Sequence, residues 1–221
     1  MTIKFLDLYN QVASQPWSMF DGYAETADDL EPALVSSINK AIIDVWYSYP
    51  FSFRIKEFAF TTTPNYFKYN LPDGNILNEE SIEDNMFSIT INNNHLSYNP
   101  EIKPTKEIGT PTEFGIIDDE IILSPTPNKK YQIKIKYLTL AIGQNKEQED
   151  IFYLENPTDF MDIPKKYETI FKNAVITKAM VDSIASVNDE NYVGYKIQFD
   201  KAFKLLIKVT NPTKKSMSIS F

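Results

Sequence analysis

Two stretches of helical periodicity flank a long middle with a period of two. This predicts an α+β fold, with N- and C-terminal helices packed as a helical bundle, an inserted antiparallel β domain and an extended C-terminal tail. Three observations carry it. Leu30, Leu34, Ile38, Ala41, Ile42 and Val45 recur at three and four residues, and a second such pattern starts at Tyr167. Between them Tyr131, Ile133, Ile135 and Tyr137 alternate with Gln132, Lys134 and Lys136, which places one strand face in a core and the other in water. The ends of a domain usually lie close together, so the terminal helices are expected to meet, leaving the middle as an insertion. The expected boundaries are 1–53 (helical), 54–164 (β-rich insertion), 165–209 (helical pair) and 210–221 (tail).

Taken in order, residues 3–13 (IKFLDLYNQVA) read as a short helix, and an aromatic-rich connection closes at Asp21-Gly22. The first long helix is predicted from Thr26. Thr26 with Asp29 three residues on forms a capping pair, and Asp28, Asp29 and Glu31 suit the positive helix end. Pro32 is tolerable within a first turn, and Pro50 ends the helix. Phe53, Ile55, Phe58 and Phe60 then begin a β region, with Tyr66–Leu71 next and a turn at Leu71-Pro72-Asp73-Gly74. An acidic stretch, Asn78–Asn85, precedes a strand at Met86–Ile91 and the polar tract Asn92–His95.

Pro100, Pro104 and Pro111 mark an extended loop. From Pro111 to Leu140, the runs Phe114–Ile117, Ile121–Leu123 and Tyr131–Tyr137 are separated by Asp118-Asp119 and Ser124–Asn128. They predict a β-meander. Gly143–Pro164 reads as a polar connection with an aromatic insert, and Pro164 stands at a helix entry. Tyr167, Ile170, Phe171, Ala174 and Val175 form one stripe of that helix; Ile176, Ala179, Met180 and Val187 form a second. A helix apolar on two sides has partners on both. After Asn188-Asp189, a last helix carries Tyr192, Tyr195, Phe199, Ala202, Phe203, Leu206 and Val209 until Asn211-Pro212 stops it. The short break favours antiparallel neighbours.

The chain has no cysteine, so a disulfide framework and thiolate metal sites are excluded. No apolar run reaches the length of a membrane span or signal peptide, and the expectation is a soluble protein folded inside the cell, with no membrane partner. A net charge of −8 argues against a general nucleic-acid coat. The charge is uneven: from Lys165 onwards there are 10 lysines and 5 acidic residues, and before it 12 basic and 25 acidic residues. The two ends are then expected to meet different surroundings, with clustering on solvated faces as the plainer alternative.

No catalytic residue, metal site or cofactor is predicted. His95, the single histidine, lies in an Asn-rich run and reads as a loop residue, and neither GxGxxG nor GxxxxGK[ST] occurs. Glu79, Glu80, Glu83 and Asp84 lack the spacing of a calcium loop and read as a solvated turn. Asp118-Asp119-Glu120 reads as a hairpin tip.

Four features together resemble the head-to-tail adaptors of short-tailed phages, also called connector-ring or tail tubular proteins. They are the capped helix ending in an aromatic cluster (AIIDVWYSYPFSFR, Ala41–Arg54), the strand end YNLPDG (Tyr69–Gly74), the run from Pro111 through IILSPTP to the alternating strand, and the C-terminal helical pair. GTPTEF (Gly109–Phe114) and the proline-rich 99–111 segment depart from the pattern. The resemblance implies a non-enzymatic virion protein assembled in the host cytoplasm. It would form a closed homo-oligomeric ring, usually a dodecamer, at the head–tail junction, bound to the portal protein and to adjacent tail or ring proteins. Double-stranded DNA would pass through without sequence preference. An acidic lumen would repel phosphates and let DNA slide.

A closed ring needs a heterologous interface. The expected subunit contacts are Ile176, Ala179, Met180, Val187, Phe199 and Phe203. In the tail, Met217, Ile219 and Phe221 alternate with Ser216, Ser218 and Ser220. With Lys214 and Lys215 these residues are expected to bind the portal or a neighbouring ring, by strand addition or in a groove; a frayed terminus is the plainer reading. The alternative function is a tail or baseplate binding module that grips carbohydrate or a host receptor through Tyr66, Phe67, Tyr69, Tyr98 and Tyr153. A virion-associated hydrolase ranks last.

Overall fold

The computed structural model describes residues 3–15, 23–71, 75–76, 87–104, 106–118, 120–183 and 190–210. In chain order, the first elements are β1 (Ile3–Lys4), α1 (Phe5–Ala13) and α2 (Pro32–Tyr47). Next come β2 (Ile55–Thr61), β3 (Lys68–Asn70), β4 (Asn75–Ile76), β5 (Ser88–Ile91), β6 (Asn94–His95), β7 (Ser97–Tyr98) and β8 (Ile108–Gly109). The central run ends with β9 (Glu113–Ile117), β10 (Glu120–Ser124), β11 (Thr126–Pro127) and β12 (Gln132–Thr139). The last elements are β13 (Gly143–Gln144), β14 (Asp150–Ile151), β15 (Phe160–Met161), α3 (Lys165–Asp182) and α4 (Glu190–Thr210). The chain divides into a terminal unit, Met1–Phe53 with Ala141–Phe221, and a central unit, Arg54–Leu140.

In the terminal unit, the stripe Leu34, Ile38, Ala41, Ile42 and Val45 of α2 is buried in one core with Leu8 and Val12 of α1 and Phe171, Ala174 and Val175 of α3. The aromatic cluster after α2 joins the helices. Trp46 meets Phe171 edge-on at 6.0 Å, Phe53 meets Phe171 at 5.9 Å, and Phe51 stacks on Phe53 at 5.1 Å. Phe51 also meets Phe203 of α4 at 6.2 Å. Ser52 Oγ donates to the Thr210 carbonyl at 2.8 Å, satisfying one of the orphan acceptors at the end of α4.

The predicted bundle of N- and C-terminal helices is corrected by this architecture. The terminal unit is itself mixed α+β: its helices share a core with a four-stranded sheet of order β1-β15-β13-β14. Strands β13, β14 and β15 lie in the segment that reads as a polar connection. Each is two residues long, too short for a period of two to show. What holds them is non-local. Asn39 of α2, fully buried, donates to the Leu154 carbonyl and accepts the Leu154 N–H, both at 2.8 Å, across 115 positions of sequence. Gly143 lets β13 approach β15, since a Cβ there would stand 2.6 Å from the Phe160 carbonyl oxygen.

The start of the first long helix is also corrected. The Thr26 capping box closes a separate 3-10 turn over Ala27–Asp29, and α2 begins at Pro32. Pro32 excludes Glu31 from helical geometry, so the helix starts afresh there. Asp29 accepts the N–H groups of Thr26 (2.8 Å) and Glu25 (3.0 Å) and the Thr26 hydroxyl (2.9 Å). These donors, the Thr26 and Glu25 backbone first, hold its carboxyl below the usual range.

The central unit contains two larger sheets, of order β2-β12-β5-β6 (with β4 also on β12) and β3-β10-β9-β7. Their inner faces share one core: Ile89, Ile91, Ile133 and Ile135 from the first, Phe114, Ile121 and Leu123 from the second. The β12 alternation is as the sequence pattern requires, with Ile133 and Ile135 buried and Gln132 and Lys134 exposed. The predicted meander does not form. β10 pairs with β9 and β3, whereas β12 pairs with β2, β4 and β5 in the other sheet. Nor is the unit purely antiparallel, because β7 pairs parallel with β9 and β8 parallel with β11. The predicted 99–111 loop thus contributes β8, and its Ile102 is buried. The predicted C-terminal tail lies outside the described residues. The fold is therefore α+β with four α-helices and four sheets among the described residues, and strand formation is not confined to its middle.

Between α2 and α3, Lys178 donates to both oxygens of Asp182 (2.6 and 2.7 Å), and its Nζ lies 2.7 Å from Asp44 Oδ2. Burial works to lower the Lys178 pKa, but its hydrogen bonds to Asp182 and Asp44 outweigh this and raise it. The stabilisation is complete below the lysine's unfolded pKa of about 10.4 and is lost as pH rises through the higher folded value. Lys178→Met is expected to destabilise the terminal unit by roughly 1–3 kcal/mol near neutral pH. Its deficit against wild type should shrink above about pH 10.4, as read by urea midpoints across the alkaline range. A deficit that grows there would refute the assignment.

Candidate functional site

Alternation along β12 sends Lys134 and Lys136 to the solvent face of the first central sheet. Lys134 stands opposite Thr90, and Lys136 lies between Ser88 on one side and Glu57 on the other. His95 pairs with Thr90. With Asn93, these residues line an open groove of about 270 Å³. Among the described residues the imidazole has no carboxylate or hydroxyl hydrogen-bond partner of the kind that a nucleophile–base–orienter chain uses. Among the described residues no three His, Asp or Glu side chains are grouped to hold a metal. Glu79, Glu80, Glu83 and Asp84 lie outside the described residues.

The expected subunit contacts lie mostly in the helical pair's own packing. Ala179 and Phe203 are buried within the terminal unit's core, and Ile176 and Phe199 pack half-buried against it. Phe199 stacks on Phe203 at 5.5 Å. Met180 is half-buried, and Val187, Lys214, Lys215, Met217, Ile219 and Phe221 lie outside the described residues. Within the protomer α3 packs against both α2 and α4. What α4 leaves exposed is Val193, Ile197 and Leu205. These fall at multiples of four with Lys201 between them, the spacing of a ridge that can enter a helix groove. They are the apolar residues left over once the inward stripe of α4 is assigned, and that remainder is the signal that finds them.

At the edge of the central unit, Phe58 and Phe60 of β2 stand directly opposite Ile135 and Ile133, hence on the core side of the sheet. Phe58 is nonetheless 41% exposed, because β2 is the last strand of that sheet. A line of rings continues from it. Phe58 lies 6.1 Å from Phe60, Phe60 lies 4.8 Å from Tyr69, and Tyr69 meets Tyr66 edge-on at 5.5 Å. Tyr69 Oη accepts the Thr63 N–H at 3.1 Å and donates to the Tyr66 carbonyl at 2.8 Å. Burial raises the pKa of this phenol. Of the five rings considered for glycan binding, only Tyr66 and Tyr69 have a ring contact with each other. Tyr98 packs on Phe114 at the far edge of its sheet, Phe67 is half-buried, and Tyr153 belongs to the terminal unit.

The described surfaces thus offer contact features: a half-exposed aromatic strand edge and an apolar ridge on a lysine-rich helix. Sequence reading missed the strand edge because edge position is a property of the whole sheet and not of β2 itself. No protein-family model matches this sequence, and no curated protein matches it.

Proposed function

We propose that this chain is a structural, non-enzymatic subunit of a ring at the head–tail junction of a tailed phage, joining the portal to the tail around the DNA exit channel. The observation that carries the reading is the division of the chain. Its two terminal segments form one unit, and the segment between them forms a separate β unit. The resembling motifs fall at structural joints. The aromatic cluster of Ala41–Arg54 joins α2 to α3 and α4, and the run from Pro111 supplies strands to both large central sheets. Support also comes from Val193, Ile197 and Leu205, exposed on α4 beside Lys201, Lys204 and Lys208. A heterologous contact suits such a surface, because a subunit can present it to a different face of its neighbour.

DNA passage requires that the duplex is not held. The net charge of −8 predicts weak DNA affinity that falls steeply with salt. The test is the purified full chain mixed with the portal protein encoded in the same genome, followed by co-sedimentation and negative-stain microscopy. Rings stacked on portal rings are expected. A monomer that leaves portal rings bare would overturn the reading, and specific hits on a glycan array would favour a receptor-binding module instead.

A further inference from the structure

We propose that β2 is the docking edge for the C-terminal segment of a second copy, Lys214–Phe221, which adds to the sheet as one more strand; the inference rests on the ring reading. β2 pairs with β12 on one side only, and no described strand occupies its other side. The Thr62 N–H bonds the Tyr131 carbonyl of the neighbouring chain segment at 2.9 Å. In an antiparallel pair, backbone groups alternate between facing the partner and facing away. Thr62, Phe60 and Phe58 therefore face β12, and Thr61, Ala59 and Glu57 point their N–H and C=O groups outwards. No described backbone group pairs with these three residues. All three are exposed. An edge whose outward groups at Glu57, Ala59 and Thr61 find no partner among the described residues is a template for another strand.

The two faces of this edge select the occupant. One carries the half-exposed Phe58 and Phe60, and the other carries Glu57, Ala59 and Thr61. The eight residues Lys214–Phe221 are one longer than β2 and from Ser216 on have the same two-sided pattern. Met217, Ile219 and Phe221 fall on one parity, with Lys215 at its start, and Lys214, Ser216, Ser218 and Ser220 fall on the other. In either strand direction, a period of two can set the apolar set beside Phe58 and Phe60. Lys214 then shares the face of Glu57, a carboxylate with no ion pair among the described residues. Main-chain hydrogen bonds hold the strand, and the rings set its facing.

The cysteine-free sequence allows a direct test. Full-length Ala59→Cys protein is mixed under mild oxidation with Ser216→Cys, Ser218→Cys or Ser220→Cys protein. A disulfide-linked pair of chains is expected for at least one mixture. Met217→Cys, Ile219→Cys and Phe221→Cys, on the opposite face, should give none. No cross-link in any mixture, or equal cross-linking of both parities, would overturn the proposal. So would an Ala59→Cys/Ser218→Cys double variant whose disulfide closes only within one chain. As a second arm, Ala59→Pro removes an outward donor without touching the β12 ladder. It should leave the melting temperature near that of wild type and weaken self-association at least about tenfold, which is about 1.4 kcal/mol; unchanged association would count against the edge. Wild-type rings without cross-links sink this inference alone. A wild-type protein that never multimerises sinks the ring reading as well.

Discussion

Phe171→Ala is expected to lower the stability of the terminal unit by about 3–5 kcal/mol, the range for emptying a fully packed aromatic site. Phe171 has no exposed surface and meets both Trp46 and Phe53 edge-on, with ring planes at 89° and 87°. Its ring therefore joins α3 to the end of α2 and to the aromatic segment that follows. Truncation leaves a cavity that its neighbours cannot close without abandoning the stack of Phe51 on Phe53. Urea denaturation followed by tryptophan fluorescence reads the loss, with Trp46 as a reporter in contact with the site. A loss below about 1 kcal/mol would mean that the cluster is not the joint described.

Asn39→Leu is expected to cost about 2–4 kcal/mol although it replaces a polar side chain with an apolar one of similar size. The side chain serves three backbone groups: it donates to the Val35 and Leu154 carbonyls and accepts from the Leu154 N–H. Leucine leaves both Leu154 groups without this partner in a buried site, and that desolvation penalty exceeds the gain from a larger apolar surface. Native-state hydrogen exchange gives a local readout. The Leu154 amide is expected to exchange at least about tenfold faster in the variant. Unchanged exchange at Leu154 with unchanged stability would contradict the assignment.

These two residues also show where the fold could be read from sequence. Phe171 lies on a helical stripe, and its burial follows from spacing alone. The same holds for Ile133 and Ile135, where strict alternation separates core from solvent. Asn39 interrupts an apolar helix face and carries no periodic signal. Its partner is 115 positions away in a segment whose strands are two residues long. Sheet membership was equally hidden. Nothing in the spacing of Ile121–Leu123 and Tyr131–Tyr137 says that the chain changes sheet between them. The bundle expectation failed for this reason: helices announce themselves over four turns, and short strands only through pairing.

The candidate contact surfaces divide in the same way. Ala179 and Phe203 have the apolar spacing of an interface, but spacing cannot tell whether the partner is another helix of the same chain. Val193, Ile197 and Leu205 could have been found as the residues that the inward stripe of α4 leaves unassigned. The outer side of β2 could not, since it depends on β12 pairing with β2, β4 and β5 and on no described strand lying along the far side of β2.

The central claim is that this chain closes into a ring, and native mass measurement of the purified full-length protein, paired with negative-stain class averages, tests it most directly. The account predicts one closed multimer of the 25.5 kDa chain, twelve copies by the resemblance, with an axial opening wide enough for duplex DNA. A protein that stays monomeric at every concentration, alone and with the portal protein of its own genome, would contradict it.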